Sequence, residues 1–337
     1  MRDRVTLADV AKVAGVNPAT VSRSLNEQTE NQVNKETVRR IRKIARELGY
    51  TPNTVARGLR TRKSLTIGVV IPDLTNPIFP PLVRGVDSYL LPRGYSAFVV
   101  NTDGNSETEN TLINSLMERQ VDGLIIATGH GGDEMLAEFH KRGLCAVMVN
   151  RESPGAPFPA VTGDDSAGIG VVIEHLAKLG HKNVLHIAGP AESSTGRLRS
   201  QAFTAQSKKH GISGKVAKTN FYSIEAGQSA MDKILENKAN PFTAVVAGND
   251  LLALGVYHSI RSHNLNIPKD ISVVGFNNMP FTQDFQPPMT TVDVPHFDMG
   301  VEAARLLLSQ FDSEERAPIK VTLPVSLIVR GSTGLVS

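Results

Sequence analysis

From residue 65 onward, short apolar runs alternate with amphipathic stretches of helical period, and the alternation occurs twice. The first set of runs covers residues 66–71, 97–100, 123–126 and 145–149; the second covers 184–188, 244–247 and 272–276. Short apolar runs separated by helix-length segments predict βαβ units, because parallel strands are buried on both faces and need a crossover between them. Two sets predict two doubly wound parallel-sheet lobes, with a cleft at the carboxyl ends of their strands, where open α/β sheets hold ligands. A chain of 337 residues, 40% of them apolar, is too long for one ordinary core and apolar enough to build several.

The first 63 residues stand outside this alternation. Residues 7–23 predict two short helices around a tight turn. Ala11 is small enough to let the helices approach, Gly15 supplies the positive φ of the turn, and Leu7 and Val21 close the wedge. Asn17 is placed to cap the second helix, with Pro18 in its first turn, where a missing N–H costs nothing. An Ala and a Gly at this spacing also fit a plain helical hairpin, so these positions alone leave both open. After a polar loop, Asn34 predicts the cap of a third helix, with Val38, Ile41, Ile44, Ala45 and Leu48 on one face and Gly49 as its stop. The result is an all-α headpiece with a small core. The segment from Thr51-Pro52 to Arg60 has a helix start but is too short to be a stable helix in water, so order is expected only when something holds it.

Residues 1–63 carry 14 Lys and Arg against 6 Asp and Glu, a net +8, whereas the remainder carries 22 against 27, a net −5. A compact positive module beside an acidic body is the footprint of a polyanion binder. An ordinary solvated basic surface gives the same balance; the helix-turn-helix pattern separates the two. No apolar run approaches the ~20 residues of a membrane span, and Met1-Arg2-Asp3-Arg4 leads into an amphipathic helix rather than a signal core, so the cytoplasm is expected and a membrane is not. The lone Cys145, in an apolar run, suits a buried strand position rather than a nucleophile. Neither Gly-x-Gly-x-x-Gly nor Gly-x-x-x-x-Gly-Lys follows the strands, and His175, His181, His186, His258 and His263 lack the spacing of a metal or triad site. Gly163-Asp164-Asp165 fits a helix cap as well as a carboxylate pair for a metal. No catalysis, cofactor or metal is expected. A transport-type binding protein shares the two-lobed pattern but has no use for a basic headpiece.

Seven further words recur in order: Thr6-Leu7-Ala8-Asp9-Val10-Ala11; Ala19-Thr20-Val21-Ser22-Arg23; Leu48-Gly49-Tyr50-Thr51-Pro52-Asn53; Ile71-Pro72-Asp73 with Asn76-Pro77; Val121-Asp122-Gly123-Leu124-Ile125; Gly248-Asn249-Asp250 with Ala253-Leu254-Gly255; and Val273-Val274-Gly275-Phe276 ahead of Pro287-Pro288-Met289-Thr290-Thr291-Val292. In this order they resemble the LacI/GalR family of bacterial transcription regulators over essentially the whole chain. The resemblance implies a dimeric DNA-binding regulator, expected to be a repressor, whose periplasmic-binding-protein-like core senses a sugar, sugar acid or related metabolite. It implies a headpiece at 1–50, a hinge helix or linker at 51–63 and a core at 64–337. Within the core, one lobe is expected at about 64–162 and 293–322 and the other at about 163–292 and 323–337. The end of the chain carries no leucine heptads, which favours a dimer over a tetramer.

By resemblance, Pro18 and Ala19 hold the family's base-reading positions, and neither donates a hydrogen bond. Readout is therefore expected from Thr20, Ser22 and Arg23 with apolar contact to thymine methyls. Arg23 suits a bidentate guanine contact or, alternatively, a phosphate clamp. Asn26, Asn34, Thr37 and Tyr50 match positions that hold the DNA backbone, and Thr6, Asn53 and Ala56 join the DNA-binding set. Leu59 matches the leucine wedged into the minor groove at the operator centre; two wedges need two chains, hence a pseudo-palindromic operator. Gly58 lowers hinge helicity by about 1 kcal/mol relative to Ala, and Arg57, Arg60, Arg62 and Lys63 suit phosphates.

For the effector, Asp73, Asn76 and Phe79 follow the first strand, Asp164 opens the second lobe, Thr195 and Arg199 begin a helix, and Asn249 and Asn277 end strands. Arg199 matches the family's effector-gripping arginine; for the loop residues, capping is the alternative role. Many relatives carry an acid after Gly-Phe where this chain has Asn277-Asn278. The loss removes a negative charge facing Arg199 and points to an anionic or oxygen-rich ligand, although Asp164 and Asp250 remain available to a neutral sugar.

Overall fold

A computed structural model of the chain describes residues 5–26, 29–51, 63–129, 134–153, 158–237, 242–311 and 318–336. The contacts divide it into two units, residues 1–64 and 65–337.

The first unit is a three-helix headpiece: α1 (Leu7–Ala14), α2 (Pro18–Ser24) and α3 (Lys35–Glu47). Thr6 opens α1 with a capping box, its side chain accepting from the Asp9 N–H while the Asp9 carboxylate accepts from the Thr6 N–H at 2.8 Å. Gly15 takes the left-handed conformation at φ 65°, which turns the chain into Asn17, whose side chain caps α2 through the Ala19 N–H at 2.9 Å. Asn34 caps α3 in the same way through the Glu36 N–H. Val10, Ala11, Ala14, Val21, Ile41 and Ala45 form the small core. The hinge segment, with Gly58, Arg57, Arg60 and Arg62, lies outside the described residues.

The second unit holds two six-stranded sheets. The first contains β1 (Thr66–Ile71), β2 (Ser96–Asn101), β3 (Gly123–Ile126), β4 (Ala146–Val149), β5 (Ala160–Gly163) and β11 (Lys320–Leu323), ordered β11-β5-β4-β3-β1-β2 and parallel throughout. The second contains β6 (Asn183–Ala188), β7 (Ser213–Lys218), β8 (Ala244–Ala247), β9 (Ser272–Asn277), β10 (Thr290–Asp293) and β12 (Ser326–Ile328), ordered β12-β10-β9-β8-β6-β7. Helices α4 (Phe79–Leu90), α5 (Ser106–Glu118), α6 (Glu134–Lys141) and α11 (His296–Ser309) accompany the first sheet. Helices α7 (Asp165–Lys178), α8 (Ser194–Lys209), α9 (Ile224–Glu236) and α10 (Asp250–Ser262) accompany the second. The chain passes between the sheets after β5, after β10 and after β11.

β12 departs from the all-parallel expectation, since it runs antiparallel to β10 with Asp293 opposite Ser326. Only Pro324 and Val325 separate the end of β11 in the first sheet from the start of β12 in the second, and Ser326 lies opposite Asp293, the last residue of β10. The chain therefore enters beside the carboxyl end of β10 and must run back. The tightest helix pairs are made by glycine: a Cβ on Gly85 would lie 2.0 Å from the Phe297 carbonyl oxygen and one on Gly300 2.0 Å from that of Leu82, so α4 and α11 touch backbone to backbone.

Candidate DNA-reading surface and effector cleft

On the headpiece, α2 presents Pro18, Ala19 and Arg23 to solvent, with Thr20 and Ser22 partly exposed beside them. The helix buries Val21 and Ser24, and these inward positions fix which residues face out. Thr6 and Asn34 are exposed at helix N-termini, where both side chains also serve as caps; Asn26, Thr37 and Tyr50 are partly exposed. The Asp9 carboxyl is held below its ordinary pKa by hydrogen bonds from the side chain and backbone of Thr6, so α1 begins with a fixed negative charge. Arg42 pairs with Glu30. Asn53, Ala56 and Leu59 lie outside the described residues.

In the core, a cavity of about 290 Å³, its mouth included, opens among the strand ends of both sheets. Six of the eight residues expected for the effector line it: Asn76, Phe79, Thr195, Arg199, Asn249 and Asn277. The other two do not. Asp73 closes its own turn, accepting from the Thr75 N–H at 2.8 Å and hydroxyl at 2.6 Å; Asp164 caps α7 through the Ala167 N–H at 2.8 Å. Asn249 also caps a helix, α10, through the Leu252 N–H at 2.9 Å, and lines the cavity.

Arg199, 4% exposed, is fixed on three sides. Its Nε donates to Asp165 Oδ1 at 2.7 Å, Nη1 donates to the Gly248 carbonyl at 2.7 Å, and the guanidinium lies 3.7 Å from the Phe276 ring centroid. The charge expected to be missing opposite Arg199 is thus supplied by Asp165 at the start of α7. Burial pushes the Asp165 carboxyl above its ordinary pKa, with the adjacent Arg199 opposing that shift. Asp250 does not serve the cleft directly: it accepts from Thr291 Oγ1 at 2.6 Å and the Met279 N–H at 2.7 Å, and burial raises it to about 7. Gly275 makes room for it, since a Cβ there would lie 2.1 Å from Asp250 Oδ1.

The end of β9 turns sharply, with Asn277 at φ 116° and Asn278 at φ 50°. Strained backbone of this kind persists where its surroundings hold it. Asn278 donates to Asp293 at 2.7 Å and accepts from Arg330 at 2.9 Å, tying the turn to the crossing after β10. Asn277 is 5% exposed, and its amide oxygen has no partner.

Ile78, Asn150, Arg151 and Tyr222 also line the cavity and were not anticipated. Asn150 and Arg151 directly follow the apolar run that forms β4, so the strand-end rule applied to that run would have found them. Tyr222 follows β7, an exposed edge strand without an apolar run; it shares a 3.2 Å hydrogen bond with Thr195 Oγ1. Arg151 is partly buried, and its Nε has no partner. Burial holds its guanidinium below the ordinary value; Arg199 adds to that shift, while Tyr222 and Glu109 oppose it. Among the described residues no group of three or more His, Cys, Asp or Glu is placed to hold a metal, and no helix is long and apolar enough to cross a membrane.

A helix-turn-helix headpiece carried on the same chain as a two-lobed core with a polar cleft defines a DNA-binding regulator that senses a small molecule. Residues 6–53 match the description "bacterial regulatory proteins, lacI family", and residues 173–333 match a periplasmic binding protein-like domain. The chain is 32% identical over 336 residues to catabolite control protein A of Priestia megaterium, covering 98% of this chain and 99% of that protein. It is also 32% identical over 331 residues to the HTH-type transcriptional repressor CytR of Escherichia coli strain K12, covering 97% and 96%. The crystal structure of the lac repressor dimer bound to operator and the anti-inducer ONPF superposes with a TM-score of 0.87 at 29% identity, covering 98% of this chain and 100% of that one. The chain belongs to the LacI family of bacterial regulatory proteins. It is a regulator of transcription and not an enzyme.

Proposed function

We propose that this protein is a cytoplasmic repressor that binds a pseudo-palindromic operator as a homodimer and changes its grip when a small hydroxyl-bearing metabolite occupies the cleft. The carrying observation is the cleft wall, where hydrogen-bonding side chains from the strand ends of both sheets converge and the Asn277 oxygen and Arg151 Nε have no protein partner. Buried polar atoms without partners are rare in folded proteins, and a ligand satisfies them. The lac repressor dimer on its operator supports the dimer and the DNA, and the name of CytR supports repression.

In this reading Thr20, Ser22 and Arg23 read base edges, Asn26, Asn34, Thr37, Tyr50 and Thr6 hold phosphates, and Asn53, Ala56 and Leu59 engage the minor groove at the operator centre. Ligand acts through its different affinity for open and closed lobes, and nothing more is needed to shift DNA affinity. Selection of bound duplexes from a random pool by the full-length protein tests the first half. An enriched sequence with two inverted half-sites is expected, and enrichment of no sequence overturns it. A thermal-shift screen of sugars, sugar acids and sugar phosphates tests the second, since a ligand held by the native form alone raises the melting temperature.

A further inference from the structure

We infer that the effector is an anionic polyol, whose carboxylate or phosphate is bound jointly by Arg151 and Arg199 while one of its hydroxyls donates to Asn277. The inference deepens the proposed sensing role of the cleft and rests on it. Two guanidinium groups line the cavity, and none of its described lining residues is acidic. The carboxylates nearby are engaged behind the wall. Asp165 accepts from Arg199 Nε, Asp250 from Thr291 and Met279, and the buried Glu109 on α5 from Thr128 Oγ1 at 2.5 Å. Arg199 is already paired with Asp165, so the charge offered to a ligand comes chiefly from Arg151, with the Arg199 N–H groups not used by Asp165 and Gly248 as further donors.

Three further observations agree. Arg151 Nε is buried without a partner, and burial disfavours its charge, so an anion is the group that relieves both deficits. The N-termini of α8 and α10 bring Thr195 and Asn249 to the same wall, and helix N-termini favour negative charge. The buried Asn277 amide oxygen is an acceptor without a partner, which a ligand hydroxyl satisfies and a bare carboxylate or phosphate oxygen does not.

The test is calorimetry on the full-length protein with three arms: neutral glucose, galactose and ribose; gluconate and galacturonate; and glucose 6-phosphate and ribose 5-phosphate. At least one acid or phosphate is expected to bind tenfold or more tightly than its neutral parent, the carboxylate and phosphate arms telling the two anions apart. Arg151→Gln should lower that affinity at least tenfold with an unchanged melting temperature, and Arg151→Lys should restore part of it. If a neutral sugar binds as tightly as its acid and its phosphate, or if Arg151→Gln binds the anion as the wild type does, the inference is overturned and the sensing role stands. If no compound of any arm binds, both fall.

Discussion

Replacing Asp165 by Asn removes one charge from a pair whose side chains are 4% and 8% exposed and whose N–O distance is 2.7 Å. At an effective dielectric of about 20, the attraction at that distance is about 6 kcal/mol. Part of it is already offset by burial of the carboxylate, which is why its pKa is raised rather than lowered. The asparagine carbonyl can still accept from Arg199 Nε, which recovers about 1 kcal/mol. The remaining loss is about 3 kcal/mol, at the low end of the range for breaking a buried pair. In a unit of this size that lowers the melting temperature by roughly 5–6 °C. Differential scanning calorimetry of wild type, Asp165→Asn and the neighbouring Asp164→Asn provides the comparison. Asp164→Asn keeps a good helix cap and should melt within about 2 °C of wild type. Adding Arg199→Met to Asp165→Leu removes both charges and should melt above Asp165→Leu alone, because no buried charge is left unpaired. An Asp165→Asn protein as stable as wild type would refute this reasoning, since Arg199 would then not depend on that carboxylate.

Two glycines should respond to alanine with opposite sign. Gly300→Ala sets a Cβ 2.0 Å from the Leu82 carbonyl oxygen and should destabilise by about 2 kcal/mol even after its gain in helix propensity, whereas Gly170→Ala meets only the Gln206 side chain at 3.7 Å and should stabilise by about 0.5–1 kcal/mol; urea unfolding reads both, and a shared sign contradicts the packing account. Asp250, raised from 3.8 to about 7, makes the native state bind more protons than the unfolded chain between those values, so its contribution to stability falls as pH rises through that window, by at most roughly 4 kcal/mol. Thermal melts from pH 5 to 8 should therefore decline more steeply for wild type than for Asp250→Asn; parallel curves would remove Asp250 as the cause. Arg23→Met should relax discrimination at one operator base pair by about 1–3 kcal/mol, whereas a uniform loss across sequences with a salt slope shallower by about one would assign it to phosphate.

The headpiece was legible in the sequence because its helix ends carry residues with single local roles, such as Asn17 and Asn34 at caps and Gly15 at a left-handed turn. The central strands β1, β3, β4, β6, β8 and β9 were legible because burial on both faces makes them largely apolar runs; β5 and β10 are as central and buried but carry Thr, Gly or Asp, and were not. β7, β11 and β12 were not, since they are exposed edge strands of mixed composition, and the direction of β12 depends on where the chain crosses between lobes. In the cleft, Arg199 and the strand-end asparagines followed from position. The pairing of Arg199 with Asp165 did not, because it joins the starts of two helices, and no local pattern in the sequence records that approach. For Asp73 and Asp164, ligand and capping roles look alike in sequence; both side chains close a turn or cap a helix outside the cavity wall, whereas Asn249 caps a helix on it.

The central claim is that occupancy of the core cleft alters DNA binding by the same chain. Fluorescence anisotropy of a labelled, selected operator, titrated with full-length protein at one ionic strength with and without a ligand that raises the melting temperature, tests it directly. The account predicts that saturating ligand changes the operator Kd at least fivefold and that operator changes the ligand Kd by the same factor. Superimposable DNA-binding isotherms with and without saturating ligand would contradict it.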